Sequence, residues 1–372
     1  MNSKRLIDEF IELVKIGSES KNEGPFQKDL KSRLEALGLS VIEDDTAKET
    51  GLGAGNIFAV LPGDMDADPI FFSCHSDTVA PGNDIKPQIK DGVIYSDGTT
   101  ILGADDKAGI AAIIEAIKML KESGVPHRTI ELVFSTGEEI GLLGAAAFDT
   151  SKLSAKYGFA LDGDGPVGAI TIASPTLKRL EFDITGKSAH AGLAPENGIS
   201  AIEIAAQAIA KMNLGRISKE TTANIGTITG GTATNIVADK ASFTAEARSV
   251  VKKAVDAQTE HMVLVTQAIA KQLGGEVNHT EQTLSHGYYF EDDNPSVQIA
   301  HEAIKAIGRT PKSELSGGGS DANIFNAAGI ETVNLSIGYE DVHTTLESIP
   351  IKELEDAAKL VYYLVTREEE LN

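Results

Sequence analysis

The sequence predicts an α/β protein with a mixed sheet and an inserted α+β unit of ferredoxin-like order. The first observation is an alternation of short apolar strands with amphipathic helices up to about residue 176 and again from about residue 290. The second is a β-α-β-β-α-β succession between them, whose first strand alternates apolar and polar residues. We therefore expect one domain from 1–176 and 290–372 and an inserted domain from 177–289.

Length and composition limit the class of protein. The chain has 372 residues, more than one hydrophobic core usually organises, which agrees with two domains. Its net charge of −22 would repel phosphates, so we expect no nucleic-acid partner. Cys74 is the only cysteine, which excludes intrachain disulfides and favours a reducing compartment. No run approaches the ~18 uncharged apolar residues of a membrane span, and no apolar leader is evident, so a cytoplasmic protein without membrane contact is predicted.

The N-terminal elements follow from hydrophobic spacing. Apolar residues at helical spacing predict helices over about 6–14 and 30–37, and short apolar runs predict strands at 41–42 and 57–61. The intervening Gly51–Gly55 segment imitates a dinucleotide-binding loop. It precedes a strand, however, whereas that loop connects a strand to a helix, so no dinucleotide site is predicted.

The stretch from Pro69 to Val79 carries the first chemical signal. An apolar run of strand length ends in His75-Ser76-Asp77. Residues i and i+2 at a strand end project to the same side, so the imidazole and the carboxylate would meet. Open α/β sheets place their ligand sites beyond the carboxyl ends of such strands. By itself His-x-Asp is a weak signal, because it arises often by chance.

Carboxylates recur beside the next predicted elements of the same domain. They are Asp105 and Asp106 before a helix that ends near Gly124, Glu138 and Glu139 after a strand at 129–135, and Asp162 after a strand at 157–161. Each group alone has an ordinary explanation, as charge at a helix N-terminus or a solvated surface pair. All of them in this order make a metal site rich in oxygen and nitrogen the better explanation.

The inserted unit is predicted from its own patterns: strands near 177–184, 223–229, 241–249 and 276–284, and helices over about 199–209 and 251–273. In the third strand, alternation separates Phe243, Ala245 and Ala247, which should pack on the helices, from Arg248, which should point away.

The helix–strand alternation returns after about residue 293. The glycine-rich segment Ser316–Asp321 leads into a short helix, and its backbone could hold an anion or form a simple flexible turn. A strand at 332–338 precedes His343, and a final helix over about 351–366 ends in an acidic tail.

The ordered set of motifs resembles the M20 metallopeptidases. The five ligand-bearing motifs of that family match, in order, His75-x-Asp77, Gly103-Ala104-Asp105-Asp106-Lys107, Glu138-Glu139, Asp162 and His343. The sequence is most similar to the peptidase T (tripeptide aminopeptidase) branch, through Gly-Ala-Asp-Asp-Lys-Ala-Gly and Gly-Gly-Gly-Ser-Asp. The resemblance covers essentially the whole chain, although the loop from Ser316 to Ser320 lacks the arginine associated with peptidase T.

The resemblance implies a di-zinc exopeptidase domain that acts on short peptides. Two zinc ions per chain, with cobalt or manganese as alternatives, would be bridged by Asp105. The remaining ligands would be His75 and Asp162 for one ion and Glu139 and His343 for the other. Such sites keep positions open for water. Glu138 would act as the general base, and Asp77 would orient the His75 imidazole.

The inserted domain is expected to be a lid, and because such domains have an edge strand available for pairing, we predict a homodimer through residues of about 177–289. The alternative is a monomeric lid in which His190 is a turn residue. His190, within Gly186–Gly192, would stabilise the oxyanion of the transition state. Arg248, together with Gly318, Gly319 and Ser320, would hold a substrate carboxylate by charge-assisted hydrogen bonds, and Asn235 is a weaker candidate for the same pocket.

Two other functions fit the same motifs. One is hydrolysis of another amide, as in an aminoacylase or a carboxypeptidase, because the metal centre would be shared and the pocket is built by loops. The other is a non-catalytic protein with a structural metal site, which is disfavoured because structural zinc prefers Cys and His ligands. The other histidines match no motif and are predicted to be surface or packing residues: His127, His261, His279, His286 and His301.

Overall fold

The structure is a computed structural model that describes residues 1–367, so the predicted acidic tail lies outside the described residues. The chain forms two compact units. Unit 1 contains residues 1–172, 290–316 and those from 320 onward, and unit 2 contains residues 173–289 and 317–319. The catalytic and lid roles expected for the two predicted domains stay predictions.

Helices and short strands make up most of the described chain. The helices are α1 (Ser3–Val14), α2 (Gly24–Ala36), α3 (Ala47–Thr50), α4 (Ala104–Ser123), α5 (Leu143–Ala147), α6 (Ala201–Lys211), α7 (Lys252–Leu273), α8 (Pro295–Ala306), α9 (Asp321–Ala327) and α10 (Ile351–Thr366). The strands are β1 (Ser40–Glu43), β2 (Ile57–Leu61), β3 (Ile70–His75), β4 (Gln88–Lys90), β5 (Val93–Tyr95), β6 (Ile130–Ser135), β7 (Tyr157–Gly163), β8 (Ala169–Ser174), β9 (Thr176–Thr185), β10 (Gly215–Arg216), β11 (Thr221–Gly230), β12 (Lys240–Ser249), β13 (Glu276–Ser285), β14 (Tyr288–Tyr289), β15 (Lys312–Leu315), β16 (Glu331–Ser336) and β17 (Ser348–Pro350).

Unit 1 is built on a mixed sheet, as predicted. Its strands follow the order β1-β2-β6-β3-β7-β16-β8. Strands β6, β3, β7 and β16 run parallel to one another, while β1, β2 and β8 pair antiparallel. All six residues of β3 and of β6 are buried, which explains why these strands are continuous apolar runs rather than alternating ones.

Helices cover both faces of this sheet. The larger core includes apolar residues of α1, α4, α8 and α10, and a smaller cluster around Phe71, Phe148 and Phe325 lies apart from it. At Gly109 of α4, an added Cβ would stand 2.7 Å from the Leu161 carbonyl and 2.8 Å from Cys74 Sγ. Only glycine therefore allows α4 to approach β3 and β7 this closely.

Parallel pairing brings the strand ends of unit 1 to one edge. His75 at the end of β3 pairs with Ser135 at the end of β6, and β7 and β16 run in the same direction beside them. Asp162 lies near the end of β7, and Glu138 and His343 lie in the loops that follow β6 and β16. The edge formed by these carboxyl ends is therefore where the polar side chains collect.

Unit 2 has the predicted ferredoxin-like order. Its antiparallel sheet follows β11-β12-β9-β13, with α6 and α7 as the two helices and the short β10 beside the start of β11. Phe182 and Phe243 stack in its core with ring centroids 4.5 Å apart. Phe243, Ala245 and Ala247 are buried while Arg248 is only half-buried, so the predicted division of the β12 faces is confirmed.

A helix that crosses a bilayer needs about 20 consecutive, predominantly apolar residues. Among residues 1–367, no helix is long and apolar enough to cross a membrane.

Candidate metal centre

Six side chains meet at the carboxyl edge of the unit 1 sheet. They form three overlapping groups whose potential ligand atoms lie within 4.8 Å of one another: His75 with Asp105 and Asp162, His75 with Glu138 and Glu139, and Asp105 with Glu139 and His343. The structure therefore brings together all five residues predicted as metal ligands, together with the predicted base.

Asp105 lies between two imidazoles. Its Oδ1 is 2.8 Å from His75 Nε2, and its Oδ2 is 3.3 Å from His343 Nε2. On the two outer sides, Asp162 lies 3.5 Å from His75 Nε2 and Glu139 lies 3.0 Å from His343 Nε2. The Asp105 carboxylate thus directs its two oxygens toward two separate groups of potential metal ligands.

The electrostatics of this cluster favour positive charge between the carboxylates. Burial lowers the pKa of the His75 imidazole, but its bonds to acidic neighbours outweigh burial and hold that pKa well above its usual value. Bonds to Asp105 and Glu139 raise the pKa of His343 to about 10. Burial raises the pKa of Asp162 to about 6. The donor set therefore attracts a cation at each imidazole Nε2.

The His75 ring is oriented by the segment that follows it. Its Nδ1 lies 3.0 Å from the Asp77 backbone carbonyl and 3.5 Å from the Asp77 carboxylate. An Nδ1–H donated to that carbonyl turns Nε2 toward Asp105. The predicted orienting group is therefore close, but the backbone of Asp77 makes the shorter contact.

The Asp77 carboxylate holds the turn that carries the two glutamates. It accepts the backbone N–H of Glu138 at 2.9 Å, that of Glu139 at 3.3 Å and the Ser20 hydroxyl at 2.7 Å. Asp77 thus fixes one predicted base and one predicted ligand through their main chain. The sequence pattern alone did not indicate this second contact, since the turn lies about 60 residues further along the chain.

Glu138 is half-buried beside the cluster. Burial raises the pKa of its carboxyl group well above its usual value, and the nearby His75 opposes this shift. A carboxylate whose pKa is raised by burial accepts a proton more readily than an exposed one. Its environment therefore suits a general base that later acts as an acid.

Two buried residues outside the predicted set support the ligands. Tyr339 donates its hydroxyl to Asp162 at 3.1 Å. Glu347 accepts backbone N–H groups from the segment that contains Asp105. Their only sequence signal was position, since both lie within four residues of His343.

Two further buried charged residues lie near this edge. Lys107 donates to the Ile16 carbonyl at 2.7 Å and lies over the Phe26 ring, and burial lowers its pKa to about 7. Asp321 accepts the Ser135 hydroxyl, and burial raises its pKa to about 7. Both belong to motifs seen in the sequence, but no role followed from the motifs themselves.

The residues predicted to contact substrate from unit 2 fall into two sets. His190 is exposed, its Nδ1 accepts the N–H groups of Gly192 and Leu193, and the adjoining Ala191 N–H bonds the Asn235 carbonyl at 3.0 Å. Arg248 instead bonds Glu246 and the Gly317 carbonyl.

The two sets lie at opposite ends of the unit 2 sheet. The segment with His190 leaves the sheet after Thr185, which pairs with Lys240. Arg248 lies eight residues beyond Lys240 on β12, which places these two residues about 27 Å apart at ~3.4 Å per residue. Asn235 was expected to share a pocket with Arg248; within one chain it lies with His190 instead.

The glycine-rich segment is divided between the two units. Gly318 accepts the Ser174 hydroxyl through its carbonyl, and Gly319 precedes Ser320. Ser320 caps helix α9: its backbone N–H bonds the Asn323 side chain at 3.0 Å in a capping box.

Comparison with known sequences gives a consistent family. Residues 71–367 match the pattern described as Peptidase family M20/M25/M40. The chain is 30% identical to Peptidase T of Fusobacterium nucleatum, in an alignment that covers 91% of this chain and 89% of that protein.

Two solved structures share the fold over 98% of both chains. The aminopeptidase PepT of Bacillus cereus is 52% identical with a TM-score of 0.95. A tripeptidase of Staphylococcus aureus is 43% identical, also with a TM-score of 0.95.

Proposed function

The chain belongs to peptidase family M20/M25/M40 and is a metallopeptidase, and from this premise we propose that it is an exopeptidase that hydrolyses tripeptides and other short peptides at a two-zinc centre. The observation that carries the proposal is the Asp105 carboxylate, whose two oxygens face His75 and His343. The tripeptidase and aminopeptidase names of the two similar structures support the substrate class.

The donor set fits two divalent ions. Ligand atoms about 2.1 Å from a common tetrahedral ion stand roughly 3.4 Å from each other. The observed nitrogen–oxygen separations range from 2.8 to 3.5 Å. Imidazole and carboxylate donors without thiolate suit zinc, and also cobalt or manganese. Asp105 would be shared, with His75 and Asp162 on one side and Glu139 and His343 on the other.

The protein groups then divide the chemistry. When bound, the two ions would supply Lewis acidity to a water molecule and to the scissile carbonyl. Glu138 takes a proton from that water at its carboxylate and passes it to the nitrogen of the leaving amine. Asp77 keeps Glu138 in place by accepting its backbone N–H.

The predicted substrate contacts belong to the same proposal. His190 donates an N–H to the oxygen that becomes negative in the transition state. Arg248, with Gly318, Gly319 and Ser320, holds a substrate carboxylate, and Asn235 assists beside His190. A cytoplasmic location belongs to the same proposal, and the buried single thiol of Cys74 supports it.

A substrate panel tests the proposed specificity. Metal-loaded enzyme should release the N-terminal residue of tripeptides with a kcat/KM at least tenfold higher than for dipeptides or N-acyl amino acids. A preference for N-acyl amino acids would indicate an aminoacylase instead. Release of the C-terminal residue from peptides would indicate a carboxypeptidase.

Replacing His343 by alanine should remove one metal ion per chain. The ion beside Glu139 loses its only imidazole, whereas the ion beside His75 keeps its own. Elemental analysis should find about one ion instead of two. His301, a half-buried histidine on α8, provides the control, and His301→Ala should retain both ions. Equal metal content in the two variants would remove His343 from the ligand set.

We propose that the enzyme is a homodimer through unit 2, and the edge of β11 supports this. In the part of the chain that the structure describes, β10 pairs only with the start of β11, so residues 224–230 form an open edge. This edge carries no charge and exposes Ile228, whereas the opposite edge strand β13 carries Glu276 and Glu281. Charged residues protect edges from pairing, so β11 is the edge open to a second copy.

Light scattering tests this assembly. The wild-type protein should have the mass of a dimer, and Ile228→Lys should shift it toward the monomer. Ile42→Lys, at a residue of nearly equal exposure on the edge strand β1, should leave the mass unchanged. A monomeric wild-type protein at working concentration would exclude the dimer.

A further inference from the structure

The two halves of the proposed metal centre come from distant segments. Asp105 is the second residue of α4, which follows the Gly98–Gly103 loop, and His343 lies in the loop after β16. His343 adopts a positive φ of 62°, a conformation that is unfavourable for a residue with a side chain unless its surroundings impose it. Neither Asp105 nor His343 lies in a strand, so contacts outside the sheet help to set their separation.

Glu347 makes that contact. Its Oε2 accepts the N–H of Leu102 at 2.7 Å and of Gly103 at 2.8 Å, and its Oε1 accepts the N–H of Asp105 at 3.0 Å. The carboxylate is 1% exposed and lies 242 residues from Asp105 along the chain. Both of its oxygens are therefore committed to the backbone that carries the shared ligand.

Glu347 is at the same time anchored to the segment of His343. The Glu347 N–H bonds the Thr344 carbonyl at 3.2 Å, and Glu340 and Ser348 pair across the base of the loop. A displacement of the Asp105 backbone would thus be transmitted to the His343 loop through one side chain, and the reverse holds as well.

We propose that Glu347 is a positioning residue that locks the Asp105 segment to the His343 loop and so sets the spacing of the two metal sites. This rests on the proposed two-metal function. Glu347 contacts neither ion nor substrate; it acts by holding the backbone of one ligand against the loop of another. Contacts behind metal ligands typically change metal affinity or activity about 10–100-fold.

The test replaces Glu347 by glutamine, which keeps the size but offers only one accepting oxygen and turns an N–H₂ donor toward backbone N–H groups. Glu131 is a matched control: it is also buried, and it accepts the N–H groups of Ser154 and Ala155. It lies four residues before the end of β6, about 14 Å from the metal edge. Each metal-free variant is titrated with Co²⁺, followed by visible absorption, and its melting temperature is recorded.

Glu347→Gln should weaken binding of at least one Co²⁺ by tenfold or more, whereas Glu131→Gln should lower the melting temperature without changing the titration. In the metal-free protein, amide exchange of the peptide covering 100–107 should accelerate only in Glu347→Gln. Glu347→Asp keeps both oxygens but has a shorter side chain, so it should bind Co²⁺ with intermediate affinity. It replaces Glu347→Gln in the titration if the glutamine variant does not fold.

Two results would contradict the inference. The first is a folded Glu347→Gln variant that binds Co²⁺ with wild-type affinity and has a lowered melting temperature like that of Glu131→Gln. Glu347 would then be a structural residue only. Wild-type Co²⁺ affinity in Glu347→Asp, together with unchanged amide exchange of the peptide covering 100–107, would also contradict the positioning role. Failure of the wild-type protein to bind two ions would instead overturn the proposed function, so the two failures are distinguishable.

Discussion

Replacing Glu138 by glutamine is expected to lower kcat by about 10²–10⁴-fold or more, with metal content near that of the wild type. Glutamine keeps the size of the side chain but cannot take the proton from water. Burial already raises the pKa of Glu138, which suits a group that first accepts a proton and then returns it to the leaving amine. Steady-state kinetics with a tripeptide and elemental analysis of the same sample measure both quantities.

Glu139→Gln is the matched control, one residue further along the same turn. Because Glu139 Oε1 lies 3.0 Å from His343 Nε2 among the proposed ligands, this substitution should lose metal as well as turnover. A Glu138 variant that retains most of the wild-type kcat would assign the base to another group. A Glu138 variant that loses metal would make Glu138 a ligand instead.

His190→Ala should lower kcat by about 10²–10³-fold, because the lost hydrogen bond forms mainly in the transition state. Both metals should remain bound, since His190 belongs to unit 2 and every proposed ligand belongs to unit 1. His279→Ala is the control within the same unit: His279 lies on β13 and stacks against Phe182, and its loss should change kcat less than twofold. Unchanged turnover in His190→Ala would remove His190 from the mechanism.

The sheet of unit 2 separates His190 from Arg248 by more than one substrate can span. A tripeptide extends at most about 11 Å, against about 27 Å between the two ends of β12. If one active site uses both residues, we therefore expect one of them to come from a second chain.

This can be measured in a heterodimer of one His190→Ala chain and one Arg248→Ala chain, purified through two different tags. One of its two sites would combine the intact His190 with the intact Arg248, so kcat/KM should recover to about half of the wild-type value. If both residues served the same site from one chain, each site would carry a defect and activity would stay as low as in the single variants.

Much of the centre could be predicted because most of its ligands lie close to the end of a recognisable strand or to the start of a recognisable helix. The apolar runs of β3, β6 and β7 predict buried strands, and parallel pairing of such strands brings His75, Glu139 and Asp162 to one edge. The ferredoxin-like order of unit 2 was predictable for a similar reason, since its strands and helices differ clearly in periodicity.

Other features could not be predicted because they depend on contacts between distant segments. Nothing near Glu347 in the sequence indicates that its carboxylate accepts three N–H groups from residues 102–105. The separation of Asn235 from Arg248 also depends on strand register, which hydrophobic alternation alone leaves open. Such contacts follow from tertiary structure and not from local pattern.

The most direct test of the two-metal centre is a count of ions bound by the wild-type protein. Chelated protein is reloaded with Zn²⁺, freed of excess ion by gel filtration and analysed for metal per chain. We expect two ions per chain, loss of both with chelation, and recovery of tripeptide hydrolysis on reloading. No more than one tightly bound ion, even with zinc in excess, would contradict a centre bridged by Asp105.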